Sequence, residues 1–361
     1  MASTSAELGS IVGYSRDASS GERALLMKAV ALPAVISAAM LAAGAITCGI
    51  AHVDMTRLFL PYLSISFGVT VAAVLVSVFC WVAAMARVRA DAPVQKVISR
   101  IRSRALLFLL PFVVLPLFLA GYTAAKTAIP FLVGFGWDGF WAQADRLIFR
   151  EDVWRIAESW LGVGWMPFYS WFYTVVWGGA FMGTTALIAI NAKPRRVGVF
   201  YTAMLLTWIL GGWLMALIFS AAGPVFAPHF NPHLGKSFNG VALAIAANLP
   251  ADNSLRLTQK YLAASVNGHT AFKGGGISAM PSMHLGAASI YIFAARRTKW
   301  LIPAVLFWLM IFVLSGYFGY HYWVDGLAAA VIAWVCWCAS ELVFRSSREG
   351  TPMGEGLFTS R

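Results

Sequence analysis

The chain has 361 residues, of which 60% are hydrophobic and 12% charged. An average soluble domain is about 45–50% apolar and about 25% charged, so composition argues against a soluble globular protein, and disorder would need low hydrophobicity with high charge. The formal net charge of +12 suits either a nucleic-acid partner or a membrane protein whose Lys and Arg collect on the cytoplasmic side. The placement of those charges decides between the two.

Taken in order, the chain starts with a polar leader running to about Lys28. The apolar run after it is too long for a cleaved signal core, so it reads as an uncleaved first span. A span needs about 20 mostly apolar residues, and eight stretches qualify: 27–51, 59–86, 105–125, 166–190, 198–222, 279–295, 300–320 and 322–344. The sixth is short and polar at its start. Pro111, Pro116 and Pro303 fall inside spans, where membrane helices tolerate them. The expected fold is therefore all-α, a polytopic transmembrane helix bundle. Its divisions are a cytoplasmic tail (1–25), N-terminal spans (26–125), an interfacial segment (126–165), a catalytic bundle (166–345) and a second tail (346–361). Cys48, Cys80, Cys336 and Cys338 all lie in apolar runs, where cysteine packs as a small hydrophobe. They form neither a disulfide framework nor a zinc ligand set.

With the N-terminus inside, the inside segments hold 18 of the 27 Lys and Arg, all five carry some of them, and every inside connection is basic. Their net charge is +11, against +1 for the outside segments. Orientation thus accounts for nearly all the excess charge, both termini are expected in the cytoplasm, and no nucleic-acid partner is required.

Two outside segments are long. The first, 126–165, carries Trp137, Trp141, Trp154, Trp160 and Trp165 and reads as amphipathic helices lying on the outer surface, either as an anchor or as a lid over a lipid site. The second, 223–278, contains Gly223-Pro224 and the run Gly274-Gly275-Gly276. Loops of this length are usually functional or disordered.

That loop enters Ser278-Ala-Met-Pro-Ser-Met-His284, and the seventh span ends in Ser315-Gly-Tyr-Phe-Gly-Tyr-His321-Tyr-Trp-Val-Asp325. In the expected topology His284, His321 and Asp325 share the outer face. Ionisable groups at membrane depth are costly and mark function. A histidine can attack phosphorus, a carboxylate can orient it, and a second histidine can protonate the leaving oxygen. The four-residue spacing of His321 and Asp325 puts them on one helix face, suited to an orienting hydrogen bond. The same residues also allow a two-His-one-carboxylate metal site, or polar helix ends in interfacial water. A phosphate would find an anion cradle at the helix start near Pro281-Ser282. Ser282 adds a hydroxyl there, Gly276 permits close backbone approach, and Lys273 is the nearest cation.

Met-Pro-Ser-Met-His (280–284) with Tyr317-x-Gly-x-His321-x-x-x-Asp325 resembles the second and third motifs of the type 2 phosphatidic acid phosphatase superfamily. Gly276 to His284 and His321-Tyr322 resemble its inositol phosphorylceramide synthase branch, the aureobasidin-resistance-like inositolphosphotransferases. Gly223-Pro224 resembles the weaker first motif, and the likeness covers roughly 165–344. It implies a six-helix core, with His321 as nucleophile forming a phosphohistidine, Asp325 orienting it, His284 as general acid and Ser282 binding phosphate oxygen. The implied substrate is a phosphorylated membrane lipid, the acceptor is water or an alcohol headgroup, and no metal or other cofactor is required. The pattern departs from many phosphatases of the superfamily at Ser315, where they carry arginine, and at Met283, where they carry glycine. It also lacks a Lys-x6-Arg-Pro first motif. Lys273, Arg146 and Lys126 are the nominated replacement cations. Other readings are a lipid phosphatase, a metal-dependent hydrolase, and a transporter or scaffold without covalent chemistry.

Overall fold

The computed structural model describes residues 20–345, which are helical with no strand among them. Among the described residues, six helices are long and apolar enough to cross a membrane: α1 (Ser20–Ala51), α2 (Phe59–Arg87), α4 (Ala105–Val133), α7 (Met166–Asn191), α8 (Pro194–Ile218) and α13 (Trp323–Val343). Two shorter apolar helices, α11 (Met283–Ala295) and α12 (Leu301–Tyr317), fall at the sixth and seventh expected spans but are below that length. Smaller helices between them include α3 (Pro93–Ser103), α5 (Asp138–Phe149), α6 (Val153–Leu161), α9 (Gly235–Asn248) and α10 (Ser254–Asn267). The protein is an integral membrane helix bundle. Residues 20–25, expected in the N-terminal tail, belong to α1; the rest of that tail and the C-terminal tail lie outside the described residues.

α1 packs on α4 and α8, α13 packs on α8 and α11, and α2 leans on α7. Small residues let α1 and α4 meet backbone to backbone: a Cβ added to Gly44 would lie against the carbonyl of Gly121. Where lipid supplies no hydrophobic drive between helices, such close van der Waals contact holds them together.

Three expectations are corrected. The segment assigned to the outer surface from residue 126 is still helical to Val133, because Lys126 is accommodated in a cavity wall rather than expelled from the helix. The long connection 223–278 is mostly helix, α9 and α10 making up half of it. The sixth span starts at Met283, not 279, because Pro281 disfavours helical backbone at Met280 and Ser282 is an extended N-cap (φ −74°, ψ 112°); the N–H groups here are satisfied by other segments, Ala279 donating to the Ala221 carbonyl (2.8 Å) and Ser282 to that of Asp325 (3.3 Å). Irregular backbone at this depth is tolerated where it lines a cavity and is satisfied by protein.

The N-terminal hairpin is tied to the motif-bearing loop. Asp54 donates its N–H to the His269 carbonyl (2.9 Å) and accepts from Ala271 N–H (2.8 Å). The Tyr62 hydroxyl accepts the Gly274 N–H at 2.7 Å and pairs with Thr123 Oγ1 at 2.6 Å.

Candidate active site

A cavity of about 640 Å³ opens among α2, α4, α7 and the loop 273–278, with His284 and His321 in its wall. A π-helical turn at Phe172–Val176 interrupts α7 there, and such turns recur at functional sites. It seats Tyr173 flat against the His284 imidazole, ring centroids 4.8 Å apart and 10° from parallel. Trp177 covers the same imidazole at 4.1 Å. The His284 and His321 rings are 5.7 Å apart, so two segments 37 positions apart in the chain converge on one point.

His321 is buried, and its Nδ1 lies 2.6 Å from the Ala279 carbonyl oxygen. A carbonyl only accepts, so the neutral ring carries its proton on Nδ1 and keeps the Nε2 lone pair. Asp325 Oδ2 stands 3.7 Å from the same Nδ1, beyond hydrogen-bond range. It accepts the Tyr322 N–H instead (3.0 Å), at the first turn of α13. The orienting hydrogen bond expected from the four-residue spacing thus comes from a backbone carbonyl, with the carboxylate adjacent. Asp325 Oδ1 and Ser282 Oγ are buried with no hydrogen-bond partner among the described residues.

Gly276 lines the cavity directly against Lys126, and Lys273 lies at the exposed rim. Ser282 is fully buried behind the wall rather than on it. Of the nominated cations, Lys126 lies within electrostatic reach of both imidazoles. Arg146 is engaged elsewhere, donating to Asp152 (2.7 Å) and to Ser237 Oγ (2.7 Å). At the position of the absent arginine, Ser315 turns its hydroxyl to the Phe312 carbonyl (2.8 Å), and its own carbonyl accepts the His321 N–H (3.3 Å). No cluster of three or more His, Cys, Asp or Glu suited to a metal occurs among the described residues.

Two buried carboxylates were not singled out from the sequence. Asp138 accepts the N–H groups of Ala222 and Gly223 (both 2.8 Å) and the Tyr322 hydroxyl (3.0 Å). Asp145 accepts those of Trp323 and Val324 (both 3.0 Å), capping α13 from outside. Burial raises the pKa of both, that of Asp145 to about 7, against the lowering effect of these hydrogen bonds. The signal was present: Asp138, Ala142 and Asp145 form the buried stripe of α5, at the i, i+4, i+7 spacing of one helix face.

Two histidines and Lys126 thus share one cavity of a membrane helix bundle, with the buried Asp325 carboxylate beside His321. Residues 152–339 match the family model of the PAP2 superfamily, and the chain belongs to that superfamily. Membership makes it a lipid phosphatase or phosphotransferase, with a phosphorylated membrane lipid as substrate. No curated protein and no solved structure matches the chain.

Proposed function

We propose that the chain transfers a lipid-borne phosphoryl group through a phosphohistidine at His321, in the manner of an inositolphosphotransferase. The observation that carries this reading is the fixed His321 tautomer facing His284 across 5.7 Å in a shared cavity. His321 Nε2 attacks phosphorus and the bond to the leaving oxygen breaks, with protonated His284 supplying that oxygen's proton. His284, now neutral, takes a proton from the incoming acceptor, whose oxygen displaces the phosphoryl group and restores His321. Asp325 favours the cationic character that develops on His321. Lys126, with Lys273 at the rim, offsets phosphate charge in place of the absent arginine. Ser282 stays within the assignment as support for the phosphate-facing backbone, and Gly276 as the point of close approach.

The acceptor is read as an alcohol headgroup because residues 276–284 and His321-Tyr322 resemble the inositol phosphorylceramide synthase branch. Water as acceptor, giving a lipid phosphate or polyprenyl pyrophosphate phosphatase, is the second reading, since the same cavity serves either oxygen. The site is assigned to the extracytoplasmic face, with both termini cytoplasmic, on the charge distribution. The division into N-terminal spans, an interfacial segment and a catalytic bundle belongs to the same proposal. Purified protein incubated with labelled lipid phosphates and phosphatidylinositol, with and without free alcohols such as inositol, tests it by tracking free phosphate and new lipid products together. New phospholipid supports the transferase, free phosphate alone supports the phosphatase, and neither product sinks both.

A further inference from the structure

We infer that Asp138 is a positioning residue for the nucleophilic histidine, holding the three motif segments in register from a helix outside the PAP2 match. The inference rests on the proposed role of His321. One carboxylate reaches His321 by two hydrogen-bonded routes. In the first, Asp138 fixes the N–H groups of Ala222 and Gly223 (both 2.8 Å). The neighbouring Ala221 carbonyl accepts the Ala279 N–H (2.8 Å), and the Ala279 carbonyl takes the His321 Nδ1 proton (2.6 Å). In the second, Asp138 accepts the hydroxyl of Tyr322 (3.0 Å), the residue next to His321.

The segments are set close enough for this to matter. Gly223 adopts φ +91°, and a Cβ there would lie 2.5 Å from the Tyr320 carbonyl oxygen. Val225 N–H donates to the Gly319 carbonyl (2.8 Å). Asp138 itself is 3% exposed. A carboxylate is expensive to bury without partners, and this one has three donors from two of the motifs. Asparagine cannot replace it. An amide has one acceptor oxygen, so the –NH2 group would face a backbone N–H and release Ala222 or Gly223. The Ala279 carbonyl would lose its register, and with it the His321 ring. A misplacement of about 1 Å at a reacting group costs about 100-fold in rate.

The test uses the full chain in detergent with a lipid phosphate that the wild type turns over. Orthovanadate serves as a five-coordinate mimic of the transition state and inorganic phosphate as a ground-state probe. Asp138→Asn is expected to lower kcat per folded enzyme about 10- to 100-fold with KM within about twofold. It should weaken vanadate at least about tenfold while leaving phosphate within about twofold. Tyr322→Phe, which removes one donor of three, should lower kcat about three- to tenfold with the same split. A general weakening of the fold would lower the melting temperature and yield without separating vanadate from phosphate. Wild-type kcat and vanadate affinity in both variants, or equal weakening of vanadate and phosphate, overturn the inference. If Asp138→Asn does not fold, Tyr322→Phe decides alone by the same measures. A wild type that neither turns over lipid phosphates nor binds vanadate refutes the function instead, which keeps the two failures apart.

Discussion

Replacing Gly276 by alanine sets a methyl group where α4 passes the cavity. The residue holds φ +88°, and its Cβ would lie 2.8 Å from Lys126 Cγ and 3.0 Å from both the Lys126 carbonyl carbon and the Thr127 nitrogen. The lysine side chain can yield, but the backbone of a packed helix cannot. A left-handed alanine costs about 1–2 kcal/mol and overpacking about 1–3 kcal/mol. The stiffer unfolded chain gives back about 0.4–1 kcal/mol. The net is about 1–4.5 kcal/mol, expressed as movement of the 274–278 loop away from Lys126. Two other glycines separate the contributions. Gly274 has φ +72° but open space around its Cβ, so alanine there adds strain alone, about 1 kcal/mol after the same correction. Gly178 lies in α7 with nothing within 4 Å, and alanine there gains up to about 1 kcal/mol of helix propensity. Melting in detergent should rank Gly178→Ala at or above the wild type, then Gly274→Ala, then Gly276→Ala. KM for a lipid phosphate should rise clearly only in Gly276→Ala. A Gly276→Ala protein as stable as Gly274→Ala and with wild-type KM would refute the argument.

His321→Ala should reduce turnover at least about 1,000-fold with the melting temperature little changed; His284→Ala should lose about 100- to 10,000-fold, and measurable phosphohistidine in the His321 variant would overturn the assignment. Burial holds the Asp145 carboxyl at about 7, above its ordinary 3.8, so the folded chain binds that proton more tightly than the unfolded one. Its contribution to stability is therefore greatest below about pH 4, declines as pH rises to about 7 and is flat above, by about 4 kcal/mol in all. Melting scans from pH 5 to 8 should show a flatter profile for Asp145→Asn, and parallel profiles would discard this account. Finally, a cysteine placed at Asn267, at the end of α10, should react with an impermeant maleimide in intact cells; protection there would reverse the proposed orientation.

The spans were legible because twenty apolar residues have few alternatives to crossing a bilayer. The convergence of His284 and His321 followed from one helical hairpin returning the chain to its starting face. Lys126 was assigned to a surface segment because charge ordinarily ends a span, whereas this lysine is kept inside α4 by a cavity. The spacing of His321 and Asp325 suggested a direct bond, and spacing carries no information about Ala279, whose carbonyl arrives from another segment 42 positions away. Asp138 and Asp145 were masked by the tryptophans around them. Aromatic residues announced an interface, and the inward stripe of α5 went unread. Ser282 illustrates a different limit, since a motif names a residue without saying which side of the cavity wall it occupies.

The ties from Asp54 and Tyr62 to the loop 269–274, together with Lys126 and Asp138, mean that the working unit is larger than the segment that identifies it. The family match begins at residue 152, after the helix that carries Lys126 and after the carboxylate that spans two motifs. A chain cut at that boundary would keep every recognisable motif and lose two of the walls they face. The matched segment supplies the motifs and most of the cavity lining, and the chain before it closes one side through Tyr62, Tyr122 and Lys126.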